Sequence, residues 1–187
     1  MGNAFKLKAS EFLSAENNVV PVIIEVPRGC PNKYEMDKDT GMITLDRVLH
    51  SSVYYPGDYG YVPNTLCGDG DPIDVVVLST HALVPGCLVF CRIIGVLNMT
   101  DNKGKDEKLI GVVDNDPRNK GIEDISDCSS HIGRMIQNFF SIYKDLEGKN
   151  AWSEVTSVEG REAALKCIVD SIELYQAHKQ AEPMEPE

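Results

Sequence analysis

Histidine is scarce in this 187-residue chain, tryptophan occurs once, and the 18 basic residues are outnumbered by 29 acids. Each shortage excludes something. The four histidines, at 50, 81, 131 and 178, show no metal-ligand spacing and form no evident serine triad, so zinc and Ser-His sites find little support. His131 reads instead as a surface or capping group at a helix start. A net charge of −11 argues against broad binding to nucleic acid or to an anionic membrane, and suits a protein that collects cations. No apolar run approaches the roughly 18 residues that a membrane span requires. Six cysteines (30, 67, 87, 91, 128, 167) contain no C-x-x-C pair, so reduced thiols in the cytoplasm are expected rather than disulfides. Cys87 and Cys91, four apart in a strand-like run, are expected to face one side, toward the core. Residues 1–13 carry Lys6 and Lys8 without an apolar stretch and are not expected to be a signal peptide. A phosphate-cradling P-loop is also missing: Gly104-Lys105 is followed by Asp106 and preceded at the required distance by Met99.

What is present divides by period. Runs rich in Val, Ile and Leu at 19–26, 43–48, 75–78, 88–97 and 109–113 predict strands, punctuated by glycine and proline. Further on, Ile132, Met135, Ile136, Phe139, Phe140 and Tyr143 recur at helical spacing and predict an amphipathic helix. A second helix is expected to open at a Thr156-Ser157-Val158-Glu159 capping box, with Leu165, Ile168, Val169, Ile172 and Tyr175 on one face. About five strands followed by two helices suggests an α+β arrangement, a small barrel with helices on its side. One domain is expected over 1–179, and the Glu- and Pro-rich residues 180–187 read as a disordered tail.

The most informative stretch is Asp69-Gly70-Asp71-Pro72-Ile73-Asp74, three carboxylates on a turn leading into a strand. Like charges this close repel unless a cation neutralises them. Mg²⁺ takes one or two carboxylates together with waters and substrate phosphates, whereas a solvated acidic turn is the ordinary fate of such a cluster. A calcium-hand loop fits poorly, because Pro72 breaks the alternation of ligands and Thr80 stands where the closing Glu belongs. A second acidic cluster, Asp101, Asp106 and Glu107, lies in the charge-mixed segment 100–108, which reads equally as a solvated hairpin tip. Glu25 and Glu35 sit inside strand-like runs, where a carboxylate either points to water or meets a cation. Arg28, Lys33, Arg47, Lys108 and Lys144, with Tyr54, Tyr55, Tyr59, Tyr61 and Tyr143, supply donors suited to phosphate oxygens. Lysine and arginine are also ordinary surface residues, Tyr143 could be simple core, and 54–61 could be a tightly packed aromatic corner.

Several segments, in order, resemble the family I soluble inorganic pyrophosphatases: Ile24-Glu25-Val26-Pro27, Lys33-Tyr34-Glu35, Asp46-Arg47, Tyr55-Pro56 with Tyr59-Gly60-Tyr61, the Asp69 to Asp74 run itself, Asp101, Asp106-Glu107-Lys108, and Tyr143-Lys144-Asp145-Leu146-Glu147. The resemblance runs from about Val20 to Tyr175. It implies a five-stranded closed barrel of the oligonucleotide-binding type, two main flanking helices, and a site in the barrel mouth that hydrolyses pyrophosphate to two phosphates. Asp69, Asp74 and Asp106 would hold the tighter Mg²⁺, with Asp74 bridging to a second. Asp101 and Asp106 would hold a third, and Glu25 a further one through water. Mn²⁺ or Zn²⁺ are possible substitutes. Lys33, Arg47, Tyr59, Lys108, Tyr143 and Lys144 would grip the pyrophosphate, with Glu35 and Tyr55 in support. Asp71 would accept the proton of the attacking water, Asp106 being the alternative base. A homo-oligomer, with a hexamer favoured, is implied as well. Asn102 departs from the acid that many relatives carry there, and residues 114–130 match only loosely. The competing expectations are a non-catalytic oligonucleotide-binding barrel, which needs a basic groove with aromatic platforms, and a hydrolase of nucleotides or other phosphoanhydrides.

Overall fold

The computed structural model describes residues 18–181. Nine strands and two long helices occur among them: β1 (Val19–Val26), β2 (Asn32–Met36), β3 (Ile43–Val48), β4 (Asp58–Tyr61), β5 (Asp74–Leu78), β6 (Leu88–Asp101), β7 (Gly104–Lys105), β8 (Lys108–Val113), α1 (Ser130–Ile142), β9 (Ser153–Gly160) and α2 (Arg161–Ala181). The architecture is α+β. β1 pairs with β4, β4 with β5, β5 with β8, β8 with β6, and β6 with β1, so the pairings form a ring of five strands. β5 and β8 run parallel; the other pairs in the ring are antiparallel. β6 is long enough to pair also with β7 and β9 beyond the ring. β2 and β3 form a separate hairpin.

Alternation along the strands distributes the core. Val75 and Val77 of β5 pack with Ile168 and Ile172 of α2, whereas Val76 packs with Ile136, Phe139 and Phe140 of α1. β4 lies hard against β1, and a Cβ at Gly60 would meet the Ile23 carbonyl at 1.9 Å. Only glycine fits there. In β1 the register shifts between Ile24 and Val26, leaving Glu25 as the extra residue of a bulge. Bulges re-aim a side chain, and this one turns a carboxylate out of a run that is otherwise all core.

Several expectations need correction. The sequence Thr156–Glu159 lies within β9, paired with β6, and caps no helix. Its β-branched residues suit a half-buried strand. α2 opens only at Arg161, whose backbone N–H donates to Asp124 Oδ2 at 2.7 Å, so a residue 37 positions away supplies the cap. On α2 Val169 is exposed, and Ala164 and Ser171 share the buried face with Ile168 and Ile172. The segment 58–61 is a strand rather than only an aromatic corner. Gln180 and Ala181 are helical rather than part of a tail; the remainder of the expected tail and the expected absence of a signal peptide concern residues outside those described. All six cysteines are free, and Cys91 is buried in β6 while Cys87 sits just before it.

Candidate active site

The fourteen side chains to which the resemblance gives a role line one cavity of about 990 Å³, whereas Tyr54 and Glu107, also singled out from the sequence, are not among its lining residues. Strand ends deliver most of them. β5 and β8 begin side by side with Asp74 next to Lys108, and Asp101 ends β6. Lys33 of β2 stands across from Arg47 of β3. Tyr143 caps the C-terminal end of α1, its N–H bonding the Phe139 carbonyl, and Lys144 follows. The apolar stripe of α1 thus anchors the two residues that its end presents to the cavity.

Lysines bridge and neutralise the carboxylates. Lys108, only 3% exposed, donates to Asp74 Oδ2 at 2.6 Å and also to Asp106 Oδ1. Lys144 reaches Asp101 Oδ2 at 2.6 Å. Tyr59 Oη donates to Asp74 Oδ2 at 2.5 Å, and Lys38 Nζ donates to Asp71 Oδ1 at 2.9 Å. Lys33 pairs with Glu35 and stands 3.5 Å from Asp46. Arg47 bonds Asp46 at 2.5 Å through its guanidinium and Glu147 Oε1 at 2.8 Å through Nε. Arg28 lies outside this group: it bonds the Ser79 carbonyl at 2.9 Å, and its backbone N–H bonds buried Asp58.

The protonation preferences follow from burial and these partners. Burial pushes Glu25 up to about 7, and the charges of Asp74 and Glu35 add to this; the Met36 N–H at 2.6 Å and Lys33 pull the other way. Burial likewise raises Asp106, against the opposing pull of Lys108. For Asp71 and Asp101 burial also acts upward, but it is outweighed: hydrogen bonds from Lys38 and Lys144 respectively hold them below the ordinary carboxylate range. Burial drives the phenols of Tyr55, Tyr59 and Tyr143 upward, so all three are neutral donors. Burial opposes charge on Lys108, but Asp74 and Asp106 more than compensate and keep it an ammonium.

The donor set tests a metal by its chemistry. Glu25, Asp69, Asp71, Asp74, Asp101 and Asp106 present oxygen alone to the cavity, with no thiol or imidazole among its lining residues. That set fits a hard divalent ion such as Mg²⁺. Among the described residues no three acidic, thiol or imidazole groups converge as a ready metal cage. Ammonium groups stand between the acids instead, which is the charge-neutralising role a cation would take over.

Some lining residues are not foreseen as such from the sequence, which predicts Tyr175 only on the apolar face of a helix. Lys38 and Lys103 come from the turns of two hairpins, and Asn64 and Tyr175 stand at the edge nearest α2. Glu147 orients Arg47 from 100 residues away. Lys38 sits in the turn sequence Asp37-Lys38-Asp39-Thr40-Gly41, which announces a hairpin tip and says nothing of what the tip reaches. Asn102 is exposed on the β6–β7 turn.

Residues 22–176 match the family described as inorganic pyrophosphatase. The inorganic pyrophosphatase of Geobacillus stearothermophilus is 46% identical over 167 residues, spanning 89% of this chain and the whole of that protein. That of Thermus thermophilus is 51% identical over 158 residues, spanning 84% of this chain and 90% of that protein. A crystal structure of inorganic pyrophosphatase from Thermus thermophilus superimposes with a TM-score of 0.86 at 46% identity, over 94% of this chain and 99% of the other.

Proposed function

The chain belongs to the family I soluble inorganic pyrophosphatases, and from that premise we propose that it hydrolyses pyrophosphate to two orthophosphates in the cavity just described. The observation that carries the reading is the convergence, from six strands, two loops and the end of α1, of the carboxylates of Glu25, Asp69, Asp71, Asp74, Asp101 and Asp106 with the cations Lys33, Arg47, Lys108 and Lys144 in one cavity. We read the ring of strands as a closed barrel of the oligonucleotide-binding type with this cavity at its mouth, within a single domain. The returning pairings support this.

Asp69, Asp74 and Asp106 are the proposed ligands of the tighter Mg²⁺, with Asp74 shared by a second ion, Asp101 and Asp106 serving a third, and Glu25 acting through water. Bound there, Mg²⁺ would supply charge neutralisation and a lowered pKa for the attacking water; Mn²⁺ or Zn²⁺ could substitute. Lys33, Arg47, Lys108, Lys144, Tyr59 and Tyr143 bind the phosphate oxygens. Lys108 and Lys144 exchange their carboxylate partners for phosphate when substrate enters. Asp71 takes a proton from water as its oxygen bonds to one phosphorus and the bridging P–O bond breaks. The planar fork of Arg47, held by Glu147, then meets the charge growing on the departing phosphate. Asp106 is the second candidate for the base, favoured by the burial that raises its proton affinity.

The rest of the reading follows from the surface. Free cysteines suit a reducing cytoplasm. Exposed Met42, Leu45 and Val48 at the β2–β3 hairpin support a homo-oligomer, a hexamer being favoured. The strong negative charge disfavours an oligonucleotide-binding role. Phosphate release from pyrophosphate and from ATP, each with and without Mg²⁺, tests the function. Fast release from pyrophosphate with Mg²⁺ alone is expected; a preference for ATP would move the substrate to nucleotides.

A further inference from the structure

The loop between β4 and β5 carries Asp69 and Asp71, and two of its contacts lead away from the cavity into α2. Its neck is closed within itself. The Val62 N–H bonds the Ile73 carbonyl at 3.0 Å, and the buried Thr65 hydroxyl donates to the Val62 carbonyl at 2.6 Å while accepting from the Ile73 N–H at 3.0 Å. The tip is a turn in which the Cys67 N–H bonds the Asp71 carbonyl at 2.8 Å, with Gly70 at φ +87°. Neck and tip therefore each have internal order, and the segment joining them is held through Asn64 and Leu66, which flank the anchored Thr65.

That segment is where α2 attaches. The Leu66 N–H donates to the Ser171 carbonyl at 2.9 Å, and Tyr175 Oη donates to Asn64 Oδ1 at 2.9 Å. Ser171 and Tyr175 are four residues apart and so share a helix face. Just beneath, Ala164, Ile168 and Ile172 seat the helix in the core. Asn64 is the non-glycine residue with positive φ among the described residues, at +60°. A side chain in that region costs of order 1 kcal/mol and persists where the surroundings hold it. Both Asn64 and Tyr175 line the cavity itself.

We infer that Tyr175 is a positioning residue: through Asn64, and beside the Leu66–Ser171 bond, it couples α2 to the loop and fixes the carboxylates of Asp69 and Asp71 for metal and water. The inference rests on the metal-dependent reading above, and its reach is to the ion rather than to the phosphates. In this role Tyr175 acts through Asn64 rather than on the reacting atoms. Its phenol holds the left-handed turn at Asn64, from which the acidic tip projects five residues later.

Tyr175→Phe keeps the ring in place and removes only the hydroxyl. Mn²⁺ binding followed by electron paramagnetic resonance should weaken about 10-fold, the lower edge of what outer-shell changes do to metal affinity. The Mg²⁺ needed for half activity should rise by the same factor, with KM for pyrophosphate at saturating Mg²⁺ unchanged. Amide exchange should quicken at residues 64–71 and not elsewhere. Asn64→Gly should lose at least as much, and Tyr175→Phe should add nothing in the Asn64→Gly background, because the connection between the two is then already gone. Equal Mn²⁺ affinity and equal loop exchange in wild type and Tyr175→Phe would overturn the role, as would exchange that quickens uniformly along the chain. Absence of pyrophosphate hydrolysis by the wild type would sink the functional reading instead, while Mn²⁺ affinity and loop exchange would still judge the coupling.

Discussion

The acidic loop at 69–74 offers three carboxylates to the cavity and the acidic turn at 101–108 offers two, and they hold their charge in opposite ways. In the first, Asp69 is exposed, and Asp71 is paired with Lys38, itself 70% exposed on a hairpin turn. In the second, Asp101 is 5% exposed and bonded to Lys144, and nearly inaccessible Lys108 clamps Asp106 to Asp74 of the other loop. Charge at a wet rim moves and exchanges partners cheaply, whereas charge in the interior must be paired or lose much of its stability. The difference bears on the proposed roles: the exposed rim is open to water, and the buried interior is a fixed frame.

The largest effect expected of that division is at the rim. Asp71→Asn should lower kcat by about 10²–10⁴, the usual scale for loss of a general base, with much less change in substrate affinity. Near-normal turnover would transfer the base to Asp106 and erase the distinction between the loops. Next comes a paired test of stability in EDTA. Lys108→Met leaves two carboxylates facing each other without their ammonium and should cost about 3–5 kcal/mol in urea unfolding. Lys38→Met at the exposed pair should cost about 0–1 kcal/mol. Equal losses would mean that burial does not separate the two clusters.

A third prediction uses pH. Glu25 carries a folded-state pKa near 7 against an ordinary 4.5. Folding therefore favours its protonated form: its contribution is fully present below pH 4.5 and is lost as pH rises through 7. The metal-free protein should lose about 3 kcal/mol of stability across that window from this group, at ~1.4 kcal/mol per pKa unit. Glu25→Gln, still able to accept the Met36 N–H, should flatten the dependence. Urea midpoints at pH 4.5 and 8 check it, and an unchanged slope would contradict the buried-carboxylate account. The smallest effect is expected at Asn102. It is exposed on the turn beside Asp101, so Asn102→Glu adds only a screened charge and should lower the Mg²⁺ needed for half activity by about two-fold. Superimposable Mg²⁺ curves would show that this turn does not sense the ion.

The same contrast explains what could be read from the chain. Strands β1, β3, β5, β6 and β8 and the stripe of α1 carry their own periodicity, and the acidic loop announces itself because its acids, glycine and proline are contiguous. The carboxylates and cations of the cavity were legible through motifs. Their pairing was not: Lys144 finds Asp101 across 43 residues, and Arg47 finds Glu147 across 100. The start of α2 was misplaced for a related reason. A local Thr-to-Glu spacing imitates a cap, whereas the acceptor that bonds the Arg161 N–H is Asp124, brought near by the fold. β4 was hidden by Gly60, which lowers strand propensity but is demanded by the approach of β1. The bulge that aims Glu25 leaves no local mark, since it depends on register with β4.

Whether the cavity joining these two loops hydrolyses pyrophosphate with Mg²⁺ is read from phosphorus NMR of the purified chain with both present. The pyrophosphate resonance should convert into orthophosphate alone, two per substrate, EDTA should stop the conversion, and ATP in the same tube should keep its three resonances. Pyrophosphate that persists with Mg²⁺ present, or ATP consumed at a comparable rate, would contradict the proposed function.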